Sequence, residues 1–233
     1  MRRGYDPEDE RWFSEAAVDR LRLAQQECRW LLDRGYPFSS VIKLVGDHHQ
    51  LSVRQRSALQ RATAPSSEIE RRLSSQLSRE AAAGHLLSVD GFNLVITLET
   101  ALSGSVLILG ADGVLRDLAG LRGTYRVIDQ TGQALHLLGQ TFSRLHVSGV
   151  CFYLDAPVSN SGRLRQAIFE HADSWDLPVS VELVPNADVL LQDGDYVVTG
   201  DSVILNQCRS WLNLAAEIVK VDMKEAWIVR LTG

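Results

Sequence analysis

From His85 onward the chain alternates short β-rich apolar runs with helix-period segments, and this alternation restricts the fold more than any other feature of the sequence. Strands fit 86–89, 106–109, 150–154, 179–184 and 196–199, with another near 226–231. Helices fit 93–103, 132–147, 161–175 and 207–219. Strands separated by helices pair in parallel, because each parallel connection must cross back over the sheet. The expected fold is therefore α/β, a mostly parallel sheet flanked by helices.

Before His85 the chain reads as helix throughout, so the expected organisation is an all-helical N-terminal module at 1–84 and an α/β domain at 85–233. Asp6 suits an N-cap with Pro7 at the first helical position, opening an amphipathic helix that runs to Arg34 and stops at Gly35 and Pro37. A short helix at about 40–45 ends at Gly46. Ser52 and Gln55 make a capping-box pattern, and Ile69, Leu73, Leu77 and Ala81 mark one face of a helix ending at Gly84. The corner near GDHHQ is compatible with a helix-turn-helix carrying Arg54, Arg56 and Arg61, a weak signal in any helical bundle. His48 and His49 sit on that corner with no metal-ligand partner near them in sequence, so they read as solvent-exposed.

The chain has 233 residues and a net charge of −5. The charge divides unevenly, with 14 basic and 12 acidic residues up to position 84 and 10 basic and 17 acidic after it. No apolar run reaches the length of a membrane span, and the acidic N-terminus lacks the pattern of a signal peptide. Cys28, Cys151 and Cys208 are odd in number and widely spaced, which excludes a disulfide framework or a CxxC metal site. A soluble protein of the reducing cytoplasm is expected.

Three of the strands end in aspartate: Asp90 after LLSV, Asp155 after VCFYL, and Asp201 after YVVT and Gly200. In a parallel sheet their C-terminal ends align at the edge where open α/β folds place their chemistry. Gathered carboxylates repel unless a cation or a shared proton compensates, and oxygen-only donors favour Mg²⁺ or Mn²⁺. The usual task of such a site is phosphoryl chemistry. Helix capping by each aspartate alone is the competing explanation.

Other residues suit a nucleic-acid substrate. Asn93 follows Asp90 in DGFN, within reach of a phosphate or a metal-bound water. Ser159 and Asn160 precede a helix whose first turn carries Arg163, an arrangement able to hold an anion. LRDLAGLRGTYR brings Arg116, Asp117, Arg122, Tyr125 and Arg126 together, arginines for phosphates and a ring for a base.

VDGFN, YLDAP, NADVLL and VVTGDSVIL occur in the order of motifs in PIN-like nucleases, and the match resembles their NYN branch most closely. The whole chain also resembles an uncharacterised prokaryotic family, the domain of unknown function numbered 434. The PIN-like resemblance implies a PIN-like sheet with Asp90, Asp155, Asp188 and Asp201 as catalytic metal ligands. It implies one or two Mg²⁺ or Mn²⁺ ions and hydrolysis of phosphodiesters, with RNA, single-stranded or structured, as partner. A non-catalytic PIN-like module binding RNA or protein is the alternative. NYN proteins typically carry Ser where this chain has Gly200. PIN domains often add an acid on the first helix, for which Glu99 is the candidate, although Glu99 shares its helical face with Ile96 and Leu102.

Overall fold

The computed structural model describes residues 1–121 and 123–231. The N-terminal part holds α1 (Asp9–Trp12), α2 (Glu15–Leu32), α3 (Phe38–His48), α4 (Val53–Ala62) and α5 (Ser66–Ser75). The single helix expected from Asp6 to Arg34 is broken at Ser14, whose backbone is extended, and Phe13 is buried at the break. Gly35 ends the helical stretch in the left-handed region. Gly46 does not end α3. It lies inside the helix, and the Arg56 guanidinium packs so close that a Cβ there would come within 2.6 Å of Arg56 Nη1. The Ser52–Gln55 capping box forms in full at the start of α4. The helix expected to reach Gly84 stops at Ser75, since Gln76 bridges to Trp211 and the Leu77 amide donates to the Trp211 carbonyl. A 3-10 turn, Arg79–Ala82, follows.

The remainder contains β1 (Leu86–Asp90), α6 (Gly91–Leu102), β2 (Leu107–Leu109), β3 (Leu115–Asp117), α7 (Asp129–Leu145) and β4 (Gly149–Asp155). It continues with α8 (Ser161–Ala172), β5 (Val179–Val184), α9 (Ala187–Leu191), β6 (Val197–Val198), α10 (Ser202–Leu205), β7 (Trp211–Leu212), α11 (Leu214–Asp222) and β8 (Ile228–Arg230). The main sheet is wholly parallel with strand order β5-β4-β1-β6-β7. The strands expected at 106–109 and near 226–231 form, but in a second sheet of order β3-β2-β8. There β2 pairs with β3 antiparallel across the Ala111–Gly113 turn and with β8 in parallel. The helix expected over 207–219 gives way at its start to β7. Trp211 is fully buried there, and its indole N–H donates to the Arg72 carbonyl at 2.7 Å. Strand pairing and burial override the helical pattern of that short segment.

Helices α6, α7, α8 and α11 cover the main sheet, and Leu98, Leu138, Phe142, Phe152 and Ile168 are buried between these layers. A second apolar core joins Leu21, Cys28, Val45 and Leu59 of the N-terminal helices to Val106, Ile108, Val229 and Leu231 around the second sheet. The textural change at His85 is thus crossed by continuous packing. Two buried polar knots add to it. Asp112, in the β2–β3 turn, accepts from Arg72 of α5 and Arg116 of β3. Glu99 of α6 accepts from Arg3, Tyr125 and Thr131. Among the described residues, no helix is long and apolar enough to cross a membrane.

Candidate metal centre

Strand β1 lies at the middle of the main sheet. The chain fills β4 and β5 on one side, then returns to fill β6 and β7 on the other, so the order reverses beside β1. At such a switch point the connections leave in opposite directions and open a crevice at the C-terminal strand ends. Asp90 is the last residue of β1, Asp155 the last of β4, Asp188 lies in α9 after β5, and Asp201 follows β6. All four line one cavity of about 240 Å³, together with Asn93, Asp117, Arg116 and Arg61.

Local hydrogen bonds fix three of the four carboxylates, those of Asp90, Asp155 and Asp201, and Asp188 is placed through its backbone. Asp90 is buried, accepts the Thr199 hydroxyl at 2.8 Å, and caps α6 through the Asn93 amide at 3.4 Å. Thr199 in turn accepts from the Asp201 amide at 2.9 Å, so one hydroxyl ties two of the aspartates together. Asp201 caps α10 by accepting from the Val203 amide at 2.7 Å. Asp155 accepts from the Ala187 amide at 2.8 Å, which holds the start of α9, and hence Asp188, beside β4. Capping and clustering therefore coexist: the bonds that finish the helices also aim the acids into one cavity.

Gly91 and Gly200 permit this closeness. A Cβ at Gly91 would fall 2.5 Å from the Leu154 side chain. At Gly200 a Cβ would lie 3.1 Å from Asn93 Oδ1 and 3.2 Å from the Leu115 carbonyl. The Gly200 amide donates to that same Asn93 oxygen at 2.7 Å. This explains glycine where the NYN pattern has serine, and Thr199 and Asn93 supply the orienting polar groups.

Among the described residues, aspartates outnumber arginines around the cavity by five to two. Burial, with the Asp201 and Asp188 charges adding to it, pushes the Asp90 carboxyl up to about 7 despite the Thr199 bond. Burial and then the Asp201 and Asp155 carboxylates push Asp188 upward. Arg116 lines the cavity, but its guanidinium is already held by Asp112 and by the Gly200 and Arg61 carbonyls.

The donor set suits a hard divalent ion, being carboxylates with an adjacent amide and hydroxyl. Among the described residues, no three of the aspartates bring oxygens all within 4.8 Å of one another, a spacing met only by Glu27, His48 and His49. Opposite oxygens around an octahedral Mg²⁺ are about 4 Å apart, so three direct carboxylates would have to move closer together. An ion held by one or two of them, with waters completing its shell, fits the cavity as it stands.

The other sequence candidates are scattered. Asn93 reaches the cavity but spends its carbonyl oxygen on Gly200. Arg116 is buried and acts as a brace rather than an exposed phosphate contact. Arg126 lines a neighbouring cavity with Arg2 and Arg3. Ser159 and Asn160 bond the 123–125 segment and, like Arg163, do not line the acidic cavity. Arg122 lies outside the described residues. Tyr125 is fully buried, so its ring cannot stack on a base, and Glu99 sits in the knot beneath it rather than with the aspartates. Arg54 and Arg56 are engaged within the protein, by Asp9 and the Gly4 and Leu118 carbonyls and by Asp47 and the Leu51 carbonyl, which removes the helix-turn-helix reading. Thr199 was not legible as a site residue, and Arg61 was read only as part of a helix-turn-helix, not as a member of this cavity. The only signal for Thr199 is its place in VVTGD, and Arg61 arrives from a distant helix.

Residues 79–217 match the model of the Domain of unknown function (DUF5616). The chain belongs to that family. Residues 20–74 match a separate one, the Protein of unknown function (DUF434), so the whole-chain resemblance to family 434 is corrected to the helical part alone. Neither match is to a PIN-like or NYN family. The chain is also similar to "Uncharacterized protein MJ0935" of Methanocaldococcus jannaschii, at 30% identity over 207 residues covering 88% of this chain and 99% of the relative. No solved structure matches. The DUF5616 segment runs from the 3-10 turn to α11 and contains all four aspartates, whereas Arg61 of the cavity comes from the DUF434 segment.

Proposed function

We propose that this cavity hydrolyses phosphodiester bonds, with RNA as substrate, using Mg²⁺ or Mn²⁺ held by Asp90, Asp155, Asp188 and Asp201. The observation that carries the reading is the convergence of four aspartates, at or after the ends of four different strands, on one cavity at the sheet's switch point. A bound ion would polarise a phosphate oxygen and make its water a better nucleophile. The chain's own residues do the positioning. Thr199 locks Asp90 and the Asp201 backbone into one register, Asn93 and Arg116 clamp Gly200 from its two sides, and the exposed Arg61 offers a cation to the substrate's phosphate. The PIN-like motif order supports the choice of RNA.

A second reading, a PIN-like module that binds RNA or protein without cutting, is favoured by the capping bonds, which give Asp90, Asp155 and Asp201 a structural use of their own. Purified protein incubated with single-stranded RNA and Mn²⁺ separates the two. Cleavage that disappears in Asp90→Asn and in Asp155→Asn is the expected result. Cleavage surviving both changes would mean the activity lies elsewhere, and RNA binding without cleavage would select the second reading.

A further inference from the structure

We propose that Glu27, His48 and His49 form a binding site for Zn²⁺, separate from the aspartate cavity. In sequence the two histidines lack a partner. Folding supplies one, because α2 crosses α3 and brings Glu27 to the end of the neighbouring helix. One ligand atom from each residue lies within 4.8 Å of the other two. A central point therefore exists at most about 2.8 Å from each of the three atoms, so side-chain movements of less than about 1 Å reach the Zn–N and Zn–O lengths. His49 Nε2 already lies 2.8 Å from Glu27 Oε2, and the two imidazoles meet edge-on with centroids 4.9 Å apart.

Two further features favour a cation there. His48 is the last residue of α3 and His49 its C-cap, at the end of the helix where carbonyl dipoles make the potential negative. Asp47 is drawn away by Arg56 at 2.8 Å, which leaves Glu27 as the carboxylate available to the histidines. Two imidazoles and a carboxylate prefer zinc and its late first-row neighbours to Mg²⁺, in contrast to the all-oxygen aspartate cavity. Three protein ligands leave a fourth position for water or an external donor. Glu27 and His48 also border an apolar groove of about 560 Å³ lined by Trp30, Leu31, Leu44 and Val45, so a donor on a partly apolar molecule would find a surface beside the ion.

The test is calorimetric titration of Zn²⁺ into chelator-stripped protein in excess Mg²⁺, with Co²⁺ as an optical probe of imidazole ligation. One Zn²⁺ per chain is expected, and binding should persist in an Asp90→Asn, Asp155→Asn double variant. His48→Ala, His49→Ala and Glu27→Gln should each weaken it by at least about tenfold, since even outer-shell partners are worth that much. The three residues are at most half-buried, so their variants should keep the wild-type circular dichroism spectrum. Affinity unaffected by the two histidine changes, loss of binding in the aspartate variant, or binding seen only at millimolar Zn²⁺ would each overturn the proposal.

Discussion

Replacing Asp112 by asparagine should destabilise the protein by about 3 kcal/mol. Asp112 is 2% exposed and accepts from Arg72 Nη1 at 2.7 Å and from Arg116 Nη1 and Nη2 at 2.9 and 2.7 Å. Despite its burial, the bonds and charge of Arg116, then those of Arg72, hold its carboxyl down at about 2. Against an ordinary value near 3.9, that depression corresponds to between about 2 and 3 kcal/mol in favour of the ionised form. Removing one partner of a buried ion pair costs about 3–5 kcal/mol, because the opposite charge stays buried without compensation. Here Arg116 would lose its carboxylate partner, while Arg72 would keep Glu68 at 2.8 Å. The pH dependence carries its own sign. A depressed carboxyl contributes its full stabilisation above the unfolded value near 3.9, and loses it as pH falls through the folded value near 2. Urea unfolding at pH 7, 4 and 2.5 should therefore show a large gap between wild type and Asp112→Asn at pH 7 that narrows towards pH 2.5. A gap below about 1 kcal/mol at pH 7, or one that does not change with pH, would refute this account of the knot.

Removal of residues 1–84 should prevent the remainder from folding. The cut exposes Val106, Ile108, Val229 and Leu231, at about 1.5–3 kcal/mol each, a total comparable to the whole stability of a domain; a cooperative melt of the truncated chain by near-UV circular dichroism would contradict shared packing. Gly200→Ser should lower stability by about 1–2 kcal/mol through crowding of Asn93 and the Leu115 carbonyl, read as a lower melting temperature. Mn²⁺ should raise the melting temperature of the wild type but not of an Asp90→Asn, Asp155→Asn double variant, and equal shifts in both would remove those residues from the metal site. Cys28, Cys151 and Cys208 are free and buried, and burial pushes the Cys28 thiol up to about 12, so all three should resist a thiol reagent until the protein is unfolded.

Local chemistry made much of the fold legible. The Ser52–Gln55 capping box depends on neighbours a few residues apart, and it formed as expected. The strands expected at 86–89, 150–154 and 179–184, observed within a residue of those bounds, are apolar runs long enough to carry their own signal. Errors fell where a distant partner decides. Ser75 ends its helix because Trp211 pairs with Gln76, and at Gly46, inside its helix, Arg56 packs where a side chain would stand. Arg116 and Tyr125 look like nucleic-acid contacts in LRDLAGLRGTYR, but Asp112 and Glu99 take their polar groups into the interior.

The sequence by itself determined that a helical segment precedes a parallel α/β sheet and that three strands end in aspartate, since periodicity and residue type along a strand are local properties. Only the tertiary structure decided which polar groups share a space. Strand order brings Asp90, Asp155, Asp188 and Asp201 to one cavity, the crossing of α2 and α3 gives His48 and His49 a carboxylate, and the buried ion knots take arginines that solvent would otherwise hold. Hydrogen bonds and Coulomb forces act over a few ångströms, and which residues come that close depends on chain topology rather than on separation along the chain.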